Sequence, residues 1–256
     1  MQLTHTLFED RDAIVTLTLN RPERRNTLSL EVMTELRDAL RSIGESKARG
    51  VILAANGPVF SAGHDYADMR KRDLEGMRRL LARCTELMTA VQAIPQPVVA
   101  SVQGLATGAG CQLVAACDLG VAAEDAWFQT PGGAGGLFCT TPMVAVSRAI
   151  GRKRALEMLF TGSRIDARTA ADWGLVNRVV PAAELQAATE AFIRRATRGS
   201  AFSKGLGKQA YYAQIDLDQP KAYAYAQEVM ASGALADDGQ ESINAFFEKR
   251  KPKFGV

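Results

Sequence analysis

Two short segments built mainly of small residues constrain the architecture of this chain most. Phe60-Ser61-Ala62-Gly63-His64-Asp65 follows the apolar run Gly50 to Ala55 and the turn signal Asn56-Gly57-Pro58, and Gly104-Leu105-Ala106-Thr107-Gly108-Ala109-Gly110-Cys111-Gln112 follows a second apolar run, Val98 to Val102. A helical pattern succeeds each segment. Strand, loop and helix in repeated order specify an α/β fold, and uninterrupted apolar runs specify strands covered on both faces. Loops of this kind aim backbone N–H groups at one point, which is how main chain alone holds a developing oxyanion.

The flanking sequence fits the same order. Ala13 to Leu19 alternates apolar and polar residues, as a half-buried strand does, and Asn20-Arg21-Pro22-Glu23-Arg24-Arg25-Asn26 interrupts it as a basic loop. Ser29 then reads as a helix N-cap, with Glu31 in the first turn and Met33, Leu36, Leu40 and Ile43 at helical spacing. A helical region continues to about residue 93, where Pro95 and Pro97 stop it. Gly110 to Cys117 opens another helix, and Leu119 to Ala123 is a short strand. Helices around 143 to 173 precede one more possible strand, Leu175 to Val180. Beyond residue 181 only helical patterns remain, at 182–198, 203–214, 220–234 and 239–251. Tyr211, Tyr212, Tyr223, Tyr225, Phe246 and Phe247 in that region suit either internal packing or an oligomer interface.

Composition narrows the function. A chain of 256 residues with 47% apolar content supports one large α/β domain or a core with a smaller appendage. The net charge of +3 comes from scattered Lys and Arg with no basic run, so nucleic-acid binding is not indicated. Met1-Gln2-Leu3-Thr4-His5 has no charged region before an apolar core, and nothing approaches the ~18 apolar residues of a membrane span. No membrane association and a cytoplasmic location are expected. Cys84, Cys111, Cys117 and Cys139 show no metal-site or disulfide spacing and read as packed thiols, so no metal is expected. With only His5 and His64 in the chain, Ser-His and Cys-His mechanisms have few partners.

The segments Leu19-Asn20-Arg21-Pro22 with Asn26, Phe60 to Asp65, Gly104 to Gln112, Phe160-Thr161-Gly162, Ala170-Ala171-Asp172-Trp173-Gly174-Leu175-Val176 and Phe247-Glu248-Lys249-Arg250-Lys251-Pro252 occur in one order over nearly the whole chain. In this the sequence resembles the enoyl-CoA hydratase/isomerase, or crotonase, superfamily. Within it, Gly57 to Ser61, Gly110 to Val114, Gly136 to Cys139 and Lys249 to Pro252 look most like the enoyl-CoA hydratase domain-containing protein 3 subgroup. The resemblance implies a ClpP-like spiral of strand-strand-helix repeats over 1–195, carrying the CoA and oxyanion sites. It also implies a helical oligomerisation region over 196–256, in a homotrimer or a hexamer made as a dimer of trimers. The ligand it implies is an acyl-CoA thioester of fatty acid metabolism, with coenzyme A as part of the substrate and no separate cofactor. The thioester oxygen would receive the N–H groups of Ala62 and Ala109. Backbone around Arg25, Ala62 and Asp65 would line the adenine pocket, with Gly63, His64, Gly108, Pro131 and Gly132 beside the ligand. Arg24 or Arg25 and Lys249 or Lys253 would meet the CoA phosphates, a role basic side chains suit. His64 reads equally well as an exposed loop residue.

Where the family's hydratases carry two catalytic glutamates, this chain has Gln112 and Gly132, neither of which exchanges a proton at neutral pH. No Asp or Glu lies between Pro95 and Cys117 or between Ala126 and Leu156, and Thr140 stands where a dienoyl isomerase would carry an aspartate. Each lost acid or base removes ~10²- to 10⁴-fold in rate, so hydration is expected to be weak or altered. Thioester hydrolysis or decarboxylation could lean on the oxyanion loops, with Gln112, His64, Asp65, Thr130 or Thr140 assisting. A non-catalytic acyl-CoA-binding protein is a further alternative. A nucleotide-dependent oxidoreductase fits poorly, because Leu113 replaces the third glycine of the fingerprint.

Overall fold

The structure, a computed structural model, describes residues 3–255; Met1, Gln2 and Val256, included in the expected regions, lie outside the described residues. Strand β1 (Thr6–Arg11) pairs antiparallel with β2 (Ile14–Leu19) through a two-residue turn in which Asp12 and Ala13 both have positive φ, at 53° and 60°. Such turns match the twist of a hairpin. Parallel pairing then extends the sheet through β3 (Gly50–Ala55), which belongs next to β2. The sheet continues through β5 (Val98–Val102), β7 (Leu119–Ala123) and β10 (Arg178–Val180), in the order β1-β2-β3-β5-β7-β10.

A second sheet of four short strands stands beside it: β4 (Val59–Ser61), β6 (Leu105–Thr107), β8 (Trp127–Gln129) and β9 (Ile165–Asp166). Each of β3, β5 and β7 thus runs into a strand of the small sheet before the chain turns helical. The repeats of the expected spiral are these strand-strand-helix units.

Helix α1 (Leu30–Gly44) begins at Ser29, whose hydroxyl accepts the Val32 N–H at 3.3 Å, and it buries Val32, Met33, Leu36, Ala39, Leu40 and Ile43. The region expected to be helical up to residue 93 is a short helix α2 (Tyr66–Met69) followed by α3 (Leu74–Ala93). Helix α4 (Ala109–Ala116) starts one residue earlier than expected. Leu36, Leu40, Leu53, Phe60, Leu80, Leu87 and Phe128 are fully buried in the main core. Burial of each such side chain contributes ~1.5–3 kcal/mol. On the other side of the large sheet, Ile14, Ile52, Val99, Val121 and Ala123 pack with Leu185 and Ile193 of α8 (Leu185–Ala196). That second cover explains the uninterrupted apolar runs of β3 and β5.

Helices α5 (Pro142–Ile150), α6 (Arg152–Thr161) and α7 (Ala167–Trp173) precede β10. After α8, the chain continues as α9 (Ala201–Gln214), α10 (Gln219–Leu235) and α11 (Asp237–Phe247). Lys208 ties α9 to the core, its ammonium donating to the Val91 carbonyl (2.8 Å), the Gln96 carbonyl (2.8 Å) and Asp118 Oδ2 (2.7 Å). Tyr212 donates its hydroxyl to Asp118 Oδ1 at 2.8 Å. No α10 side chain is buried, and Tyr223, Met230, Leu235, Phe246 and Phe247 are exposed.

Candidate functional site

Asn26 organises the first loop. Held at φ 51°, a conformation asparagine tolerates better than most residues, it accepts the Arg21 N–H at 2.9 Å and donates to the carbonyls of Asn56 (2.9 Å) and Val59 (2.8 Å). Ser61 donates to the Asn26 carbonyl at 2.8 Å and accepts the Gly63 N–H at 3.3 Å. The basic loop and the segment Ser61 to Asp65 are therefore one laced unit.

Within that unit the backbone alternates. Ala62 donates its N–H to the Arg25 carbonyl at 3.0 Å, Leu28 donates to the Gly63 carbonyl at 2.8 Å, and Asp65 donates to the Leu28 carbonyl at 3.4 Å. Leu28 and His64 form a single parallel bridge in which His64 contributes neither of its own backbone groups. The His64 N–H has no acceptor among the described residues. Ala62, expected as the first donor, instead has its N–H committed within the loop.

The second loop closes onto the first through glycine. A Cβ on Gly63, whose φ is 82°, would lie 2.7 Å from the Thr107 carbonyl oxygen and 3.1 Å from the Ala109 nitrogen. One on Gly110 would collide with the Ser61 carbonyl. Gly108, at φ 56°, caps α4 and gives its own N–H to the Gln129 carbonyl at 2.9 Å, and a Cβ there would meet open space. Ala109 opens α4, and its N–H also has no acceptor among the described residues, as expected for a first helical turn.

The side chains divide by role. Burial alone would raise the Asp65 pKa, but the Ala67 N–H (3.0 Å), the Thr27 hydroxyl (3.1 Å) and the Arg24 guanidinium (2.9 Å) outweigh it and hold the carboxyl below its usual range. A carboxylate tied this way is a structural anion, not a proton carrier. Arg24 is consequently paired, while the Arg25 side chain is exposed and without a partner among the described residues. The His64 ring departs from the exposed-loop reading, since both of its nitrogens are buried without a hydrogen-bond partner. Burial lowers its pKa, opposed by the nearby Leu28 backbone and the Asp68 carboxylate, so the ring is neutral at neutral pH. The hydroxyls of Thr107 and Thr130 are likewise buried and unpartnered, whereas Thr140 is exposed.

Gln112 is 5% exposed and accepts a hydrogen bond at Oε1 from the Cys84 thiol of α3 at 3.8 Å. Burial pushes that thiol up to about 12, so it stays protonated and donates. The Gln112 Nε2 has no acceptor among the described residues. After Pro131, Gly132 donates its N–H to the Cys139 sulfur at 3.3 Å and accepts at its carbonyl from Gly135 (3.1 Å) and Leu137 (2.8 Å). A Cβ on Gly132 would run into the Leu137 carbonyl oxygen. The sequence signals the missing carboxylate at this position but not the backbone filling its place.

Lys249 and Lys253 are not brought to these loops. Both are exposed beyond α11, Lys253 donates its backbone N–H to Glu241 at 2.7 Å, and no hydrogen bond or ion pair among the described residues joins either lysine to the site. A separate cavity of about 640 Å³, lined in part by Asp118, Lys208, Tyr212 and Arg148, contains none of the loop residues.

The family described as enoyl-CoA hydratase/isomerase matches residues 9–256 of the chain. Enoyl-CoA hydratase domain-containing protein 3, mitochondrial, of Mus musculus is 43% identical over 251 residues, covering 96% of this chain and 83% of that protein. A crystal structure of an enoyl-CoA hydratase from Mycobacterium smegmatis superposes with a TM-score of 0.95 at 44% identity, covering 98% of this chain and 99% of the other. The structure of human enoyl coenzyme A hydratase domain-containing protein 3 does so with a TM-score of 0.94 at 41% identity, covering 98% and 100%. The expectation of a cytoplasmic location is overturned here, because the mouse relative and its human counterpart are named as mitochondrial.

Proposed function

Because the chain belongs to the enoyl-CoA hydratase/isomerase family, we propose that it binds acyl-CoA thioesters and polarises the thioester carbonyl with two backbone N–H groups, those of His64 and Ala109. The observation that carries this reading is the pair of unclaimed donors on loops that touch through Gly63, while the Ala62 N–H is spent on Arg25. Such donors act on charge that develops on one oxygen, and one of them is typically worth ~3–4 kcal/mol of barrier. Arg25, exposed beside the loop, suits the CoA phosphates better than Arg24, whose charge already meets Asp65.

The reaction is acyl-CoA chemistry of the kind that leans on enolate or tetrahedral-oxyanion stabilisation. Hydration is slow, since neither Gln112 nor Gly132 moves a proton and Asp65 is held ionised. Thioester hydrolysis and decarboxylation fit this distribution of groups, for the neutral His64 ring is the titratable side chain nearest the proposed oxyanion donors along the chain. The exposed aromatic and aliphatic side chains of α10 and α11 support self-association, as a trimer or a dimer of trimers.

The test is vibrational. The carbonyl stretch of crotonyl-CoA bound to the native protein is expected to fall relative to the free thioester, and to return toward the free value in Ala109→Pro. Binding with an unshifted carbonyl would place the polarising site elsewhere or remove it.

A further inference from the structure

Gln112 lies three residues after Ala109 on α4, so the two occupy neighbouring positions on one face of the helix. Helical side chains lean toward the N-terminus of their helix, which directs the Gln112 amide toward the opening where the Ala109 N–H emerges. The amide is 5% exposed, and its only hydrogen bond among the described residues is the one Oε1 accepts from Cys84. A protonated thiol donates to the amide oxygen and in doing so turns the –NH2 group away from itself. Nε2 itself is not sealed off, so it is an unpaired donor at an accessible surface, and a ligand that covers it must supply an acceptor or leave a polar group unmatched. No carboxylate exists in 95–117 or 126–156 to accept from it. Gly132, the other position at which the family's hydratases carry an acid, presents no side chain, and the Leu137 carbonyl occupies the space one would need.

We propose that Gln112 is a specificity-determining residue that donates from Nε2 to an oxygen at the β-position of the acyl chain, and that Cys84 is the positioning residue that fixes this orientation. The proposal rests on the reading that the thioester carbonyl sits at Ala109. With that oxygen one hydrogen bond from the Ala109 N–H, the next carbons of the acyl chain pass within reach of a side chain one turn along the same face. The ligand class is then a CoA thioester with an accepting oxygen two carbons from the thioester carbonyl, either a neutral ketone or a carboxylate. A plain saturated or enoyl chain leaves the donor unmatched.

Calorimetric titration of the full chain with acetoacetyl-CoA, malonyl-CoA and butyryl-CoA tests this. At least one of the two oxygenated thioesters is expected to bind about tenfold more tightly than butyryl-CoA. Preference for acetoacetyl-CoA identifies a neutral acceptor, and preference for malonyl-CoA a carboxylate. The ratio is expected to fall to near one in Gln112→Leu and in the isosteric Gln112→Glu, which ends in an acceptor. Cys84→Val should lose the preference and Cys84→Ser, which restores a donor, should keep it. Equal affinities in the native chain, or a preference that survives both Gln112 variants, overturns the proposal. A preference that survives Cys84→Val overturns the positioning role. Failure of all three thioesters to bind would instead remove the proposed function, and this inference with it.

Discussion

The carbonyl oxygen of Leu137 occupies the place where a side chain on Gly132 would begin. The four residues between them fold back so that Gly132 accepts from Leu137 and Gly135 and gives its N–H to Cys139. A side chain at this position is therefore incompatible with the path the 132–139 backbone takes. Gly132→Glu should destabilise the protein by ~1–3 kcal/mol, the cost of forcing atoms into filled space. The double variant Gln112→Glu, Gly132→Glu should gain no more crotonyl-CoA hydration than Gln112→Glu alone. Urea unfolding and turnover assays check both, and a double variant as active as an ordinary hydratase would show that the 132–139 loop rewinds freely.

Ala109→Pro removes one N–H at a helix position that accepts proline well. Thermal stability is expected to stay within about 1 kcal/mol of native while any thioester turnover drops ~10²- to 10³-fold. Turnover of any productive acyl-CoA measured beside a melting curve separates the two effects. Retained turnover would move the oxyanion site away from α4.

Asn26→Gly keeps access to the left-handed conformation but deletes the bonds to Arg21, Asn56 and Val59. A loss of ~2–4 kcal/mol is expected, because two of these bonds satisfy the carbonyls of Asn56, just after β3, and Val59, the first residue of β4. Denaturant midpoints measure it, and CoA affinity should fall in parallel if the loop is the binding frame. A midpoint unchanged from native would mean the lacing is incidental.

The lowered pKa of His64 fixes the sign of a pH effect. Between its folded value and the ordinary 6.5, the unfolded chain binds the extra proton and the folded one does not, so stability rises with pH in that window. Stability from this group is complete above about 6.5 and is lost as the pH falls toward the folded pKa. His64→Asn should flatten the stability profile below neutrality. The Asp65 carboxylate, also depressed, acts in the same direction but lower, around and below pH 4. A His64→Asn profile that falls as steeply as native between neutrality and mild acid would show that the ring is not buried in solution.

The large sheet and the helices were readable because their signals are local and long. β3 and β5 are continuous apolar runs, β2 alternates, and α1 carries its own cap. The small sheet was not readable, since β4, β6 and β8 have three residues each and β9 has two, too few for a period to show. β1 was missed for a different reason: all but its first residue are exposed at the sheet edge, so it lacks alternation. Glycines marked the site loops, yet the choice between Ala62 and His64 as donor turns on a bond from Ala62 to Arg25, far back in the chain. Cys84 gave no sequence signal at all, because its tie to Gln112 joins separate helices.

The single bridge between Leu28 and His64 makes ligand access a matter of parity. Beside the bridge successive N–H groups face opposite ways, Asp65 inward to Leu28 and His64 outward, so the outward group is set by counting back from Asp65 as far as Gly63, whose φ of 82° ends the alternation. Side-chain replacement at position 64 leaves that count intact and can change the chemistry of the pocket while the main-chain contact persists. Insertion or deletion of one residue between Gly63 and Asp65 reverses the count, turning the outward N–H inward. Length in this loop is thus under tighter restraint than composition, which leaves room for new reactions on an unchanged polarising frame.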